Sequence, residues 1–148
     1  MPVRVRADAV TSLENIDSFV TPQLKAQVGE YCVAKILDRT KRGIDFRGTG
    51  FAPYGAKYAA WRKIKKGLQT STPDLFVSGQ MLTALTHFDG KFNEVIVGFS
   101  DRRQMLKAHG HNYSIPRAQP RRFMGLDERD INNIKTMIVN AIKFGENK

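Results

Sequence analysis

The chain has 148 residues, about one domain's worth, with 41% hydrophobic and 26% charged residues, a balance that argues against wholesale disorder. A single cysteine, Cys32, excludes an internal disulfide framework and a thiolate-rich metal cage, and suggests a reducing compartment. The longest apolar run, residues 95–99, falls far short of the ~20 residues that a membrane-spanning helix needs, so no membrane partner is expected.

Residues 1–20 read either as a short strand around Val3 and Val5 or as a helical piece around Leu13 and Ile16, and serve as a flexible or interacting arm. Their opening, MPVRVRADAV, leads into no apolar stretch, so no secretory signal is expected. The first clear helix is predicted over Pro22–Arg39. Thr21 suits the N-cap, Pro22 the first helical position, and Leu24, Val28, Cys32 and Ile36 form one apolar stripe.

The glycine-rich stretch KRGIDFRGTGFAPYG predicts an extended loop. A short helix is expected over Tyr54–Lys66, with Tyr58, Trp61 and Ile64 facing inward and Lys63, Lys65 and Lys66 facing water. Asp74–Leu85 predicts another short helix, with Ser78–Gly79 as an alternative cap. Thr86–Phe88 and Phe92–Phe99 predict a hairpin across the Asp89–Gly90 turn.

A helix over Asp101–Ala108 is expected to stop at Gly110, and two prolines then make residues 110–122 a second irregular arm. Glu128–Phe144 predicts the last helix, capped by Asp127, with Ile131, Ile134, Ile138 and Ile142 buried. The expected class is α+β: one domain in which a small antiparallel sheet packs against two longer helices, with extended basic loops.

Charge gives the first functional clue. The formal net charge is +10, and residues 39–122 hold 16 of the 24 basic side chains but only 5 of the 14 acidic ones. Such a surface suits a polyanion or an acidic protein. The candidate contact residues are Arg42, Arg47, Arg62, Lys63, Lys65, Lys66, Arg117, Arg121 and Arg122, with Phe123 as an apolar anchor on its own core or on a neighbouring subunit. Phe46, Phe51, Tyr54 and Tyr58 lie among them and would suit stacking on bases.

No phosphate-binding loop, nucleophile elbow or zinc-protease motif occurs, so neither catalysis nor a cofactor is expected. Cys32 reads as a buried structural thiol. His109-x-His111 would offer two metal ligands only if the segment were extended, with His87 as the one further histidine.

Several segments in one order carry a resemblance: ILDRT (36–40), GIDFRGTGFAPY (43–54), YAAW (58–61), DLFVSGQMLTAL (74–85), VIVGF (95–99), AHGH (108–111) and IPRAQPRRFMGLD (115–127). Together they resemble the virion morphogenesis family of tailed phages, which includes tail completion proteins. The resemblance implies a non-enzymatic structural protein that completes the tail or joins it to the head. It implies a ring of copies at the neck or tail end, in the virion after assembly in the host cytoplasm. The implied partners are tail-tube, terminator or head-connector proteins, with non-specific DNA contact in the channel. A sequence-independent nucleic-acid-binding module is the alternative reading.

Overall fold

The computed structural model describes residues 2–6, 20–91, 93–113 and 119–145. Its elements are β1 (Val3–Arg6), α1 (Pro22–Lys41), α2 (Ala56–Lys66), α3 (Gln80–Thr83), β2 (Leu85–Asp89), β3 (Glu94–Phe99), α4 (Arg102–Tyr113) and α5 (Glu128–Gly145). The class is α+β. The helical alternative for residues 7–19 lies outside the described residues.

The three strands form an antiparallel sheet in the order β1-β3-β2. Strand alternation turns Leu85, Val95 and Val97 toward the helices, where they are buried. Helix α1 starts as its sequence dictates: the Thr21 hydroxyl accepts from the Leu24 amide at 3.1 Å, and Pro22 occupies the first turn. Its stripe Leu24–Val28–Cys32–Ile36 packs with Ile134, Ile138 and Ile142 of α5 into one core. Gly29 lets α1 come close to β2, since a Cβ there would lie 2.3 Å from the His87 ring.

Four local expectations are corrected. The segment predicted as a helix over Asp74–Leu85 is helical only at Gln80–Thr83. Asp74 instead turns its carboxylate onto the Phe76 amide, Leu75 adopts a left-handed φ of 57°, and Gly79 begins the single turn. In the hairpin, Asp89 still pairs with Val95, and the Gly90 amide donates to the Glu94 carbonyl, so the connection is longer than a two-residue Asp-Gly turn.

Helix α4 does not stop at Gly110 but runs to Tyr113. The chain beyond fastens its last turn: Arg121 N–H donates to the His111 carbonyl at 2.7 Å, and Met124 N–H donates to the Asn112 side chain at 3.0 Å. In α5, Ile131 is exposed, because the buried Asp130 takes the inward place in the first turn.

Candidate functional site

Two buried arginines fasten described parts of the irregular segments to the rest of the fold. The first is Arg39, on the last turns of α1. Its guanidinium donates to the buried Asp130 carboxylate and to the Gly125 carbonyl, joining α1, α5 and the segment just before α5 at one point. Asp130 also accepts from the Tyr31 hydroxyl at 3.3 Å, and Tyr31 accepts from Asn133 at 2.8 Å. Burial pushes the Tyr31 hydroxyl above its ordinary pKa, the Asn133 hydrogen bond opposes that, and nearby Asp130 adds to it.

The second is Arg62, and it reverses the expected orientation of α2. Arg62 is the sole buried side chain of that helix, 1% exposed, while Tyr58, Trp61 and Ile64 face outward. Its guanidinium donates to the Phe76 carbonyl at 2.6 Å, the Gln69 carbonyl at 3.2 Å and Asp74 Oδ1 at 3.3 Å. It also lies 4.5 Å from the centroid of the Tyr54 ring. The reason is chemical. The loop after α2 turns main-chain carbonyls and a carboxylate inward, and only a rigid multi-donor group can satisfy them together.

Tyr54 links the second cluster to the other arm. Its hydroxyl donates to Asp74 Oδ1 at 3.2 Å and accepts from the Asp74 amide at 3.1 Å. Desolvation raises its pKa, partly offset by the bond from the Asp74 backbone. Arg121 approaches the same ring at 5.3 Å and donates to the Ala52 carbonyl at 3.0 Å and the Pro53 carbonyl at 3.4 Å.

The proposed contact residues therefore separate. Lys63, Lys65 and Lys66 are exposed along α2. Arg42 and Arg47 are exposed beside an open groove of about 740 Å³, which Asp127 and Glu128 also line. Arg42 pairs with Asp38 at 2.8 Å, and Arg47 lies over the Phe46 ring. Arg122 is exposed, and its carbonyl receives the Phe46 amide. Gly125 is required beneath that contact, because a Cβ there would meet the Phe46 ring at 2.5 Å.

Arg62 is corrected from surface contact to buried fastener, and Arg121 is half-buried against the first arm. Phe123 is 1% exposed within its own core, edge-on to Phe99, so it offers no anchor to a neighbour. Arg117 lies outside the described residues. Phe51 is buried and the Tyr54 ring is engaged by two guanidinium groups, so neither offers a free face to a base.

The sequence reading missed Tyr58, Trp61 and Ile64 as surface features. The available signal was Arg62 itself, one arginine among the four lysines of its helix.

The histidine pair fails as a metal site, because positions two apart on a helix do not face each other and α4 carries both. Groups of three or more ligating side chains that could hold a metal ion are absent among the described residues. Burial, and then the nearby Arg121, lower the pKa of His111. Cys32 is fully buried, and desolvation pushes its thiol up to about 12. No helix of the described residues is long and apolar enough to cross a membrane. Comparison of the chain with protein-family models, with curated proteins and with solved structures gives no match.

Proposed function

We propose that the chain is a structural protein of a tailed-phage virion, acting in tail completion or head–tail joining, as a ring of copies and without catalysis. One observation carries this reading: the segments on which the resemblance rests meet in space. Tyr54 comes from GIDFRGTGFAPY, Tyr58 from YAAW, Asp74 from DLFVSGQMLTAL and Arg121 from IPRAQPRRFMGLD, and all four converge around the Arg62 guanidinium or the Tyr54 ring. The same series supplies Arg39 and Gly125 to the first cluster.

Segments far apart in the chain thus build one supported surface, which suits a part that must hold a fixed shape against neighbours. In a ring each copy presents two different faces, closing a head-to-tail contact by rotation. The exposed lysines and arginines meet acidic tail or connector surfaces at the neck, with DNA passing through the channel.

The test is assembly. Native mass spectrometry or mass photometry at micromolar concentration, with and without purified tails, is expected to show oligomers or tail-bound protein. A strict monomer that also fails to associate with tails overturns the reading. Salt-sensitive binding to duplex DNA without any tail association would favour the nucleic-acid module instead.

A further inference from the structure

Helix α2 is the outlier of the fold. It buries only Arg62 and exposes an apolar ridge: Tyr58 at 42%, Trp61 at 39% and Ile64 at 76%. A helix held by one buried guanidinium, with its largest apolar side chains in water, is built for something other than the core. Phe76, whose carbonyl Arg62 ties to α2, is exposed as well, as is its neighbour Val77.

We propose that this outward face, Tyr58, Trp61 and Ile64 with the exposed Lys57, Lys65 and Lys66 beside it, docks an acidic protein partner: an apolar segment edged by aspartate or glutamate. The inference deepens the joining role above and rests on it for the existence of a partner.

Charge selects the occupant first. Helix α2 carries five basic residues and no carboxylate, and the whole chain is +10, so a second copy would bring more positive charge to the same contact. The rings then discriminate between protein and nucleic acid. Tyr58 and Trp61 stack on each other at 5.4 Å with 23° between planes, and the Lys66 ammonium lies 5.8 Å from the Trp61 centroid. Tyr54 packs edge-on to Tyr58 at 5.3 Å.

The mutual stack thus covers one face of each ring, which reduces the π-surface left for single-stranded bases. What faces outward is the Ile64 side chain, 76% exposed, and the uncovered parts of the two rings. A phosphate backbone gains little from such groups, whereas an apolar protein segment gains their burial. Aromatic anchors at the centre with flexible, hydrated lysines around them is the arrangement of a protein interface and its rim.

Trp61 is the only tryptophan of the chain, so its fluorescence reports on this face directly. The probe is a short synthetic amphipathic peptide of leucine and glutamate, titrated in near-physiological salt beside polyglutamate, single-stranded oligothymidylate and a DNA duplex. The peptide is expected to bind saturably with a blue shift of Trp61 emission, and to bind at least about tenfold more tightly than polyglutamate. Ile64→Ala, an exposed change checked for folding by circular dichroism, is expected to weaken peptide binding about tenfold.

Failure of the peptide to bind, equal affinity for polyglutamate or either DNA, or unchanged affinity in Ile64→Ala overturns the proposal. Purified tails separate the two claims. Tails bound equally by the native chain and by Ile64→Ala remove the α2 face and keep the joining role. A peptide that docks on a chain unable to bind tails keeps the face and removes the joining role.

Discussion

Arg39 and Arg62 are the same residue type in the same state, buried and multiply bonded, yet they hold different kinds of structure. Arg39 sits where two long helices already share an apolar core, and its main partner, Asp130, is buried with it. Arg62 sits beneath a helix with no buried apolar side chain, and its partners are two main-chain carbonyls, a half-buried carboxylate and a tyrosine ring. The first arginine locks an interface that hydrophobic burial builds. The second substitutes for hydrophobic burial, which frees the apolar face of α2 for the surface.

Breaking the first cluster is expected to have the largest effect. Arg39→Met leaves Asp130 buried without its cation and is expected to cost about 3–5 kcal/mol, read as a global shift in chemical denaturation. Adding Asp130→Leu to Arg39→Met is expected to recover most of that loss, because the uncompensated charge is gone. A loss that stays in full would show that the pair does more than neutralise itself.

Arg62→Leu sharpens the contrast. It is expected to cost about 2–3 kcal/mol by stranding the carbonyls of Gln69 and Phe76 and removing the cation beside Asp74. The damage is expected to be local: hydrogen exchange quickens in residues 56–79 while α1, α5 and β3 keep their protection. Uniform loss of protection would contradict the division between the two clusters.

The smallest effect belongs to the arm that reaches Tyr54 through Arg121. Burial lowers the pKa of His111 in the folded state from an ordinary 6.5, with Arg121 as the second cause. The unfolded chain therefore binds the proton more readily, so stability is full above pH 6.5 and falls as pH drops through the lowered folded value. His111→Gln is expected to flatten this acid-side slope of the melting temperature. An unchanged slope would assign it to other groups.

How much of this was legible follows from the range of each interaction. Helices α1 and α5 and the strands of the hairpin were readable because apolar period and cap residues lie within a few positions of each other, as Thr21 and Leu24 do. The inward residue at the start of α5 was misassigned because Asp130 answers Arg39, 91 residues earlier. The face of α2 was misassigned for a related reason. Periodicity assigns Tyr58, Trp61 and Ile64 to a core, and only the carbonyls of the following loop explain why Arg62 turns inward instead.

In the candidate site, the exposed lysines were readable from composition. The withdrawal of Arg62 and Phe123 from the surface was not, because each answers to groups distant in sequence or to the folded core.

The strand order carries a consequence for how the chain reaches its fold. β3 lies at the centre of the sheet, yet it is the last of the three strands to leave the ribosome. Its pairing with β2 closes a short loop, while its pairing with β1 sets Arg4 opposite Ile96 and lets the Arg4 side chain reach Glu94, 90 residues away. Each doubling of loop length adds roughly 0.6 kcal/mol of closure entropy, so the hairpin forms readily and β1 is the late arrival. Until it docks, one edge of the central strand stays open to pairing with other nascent chains.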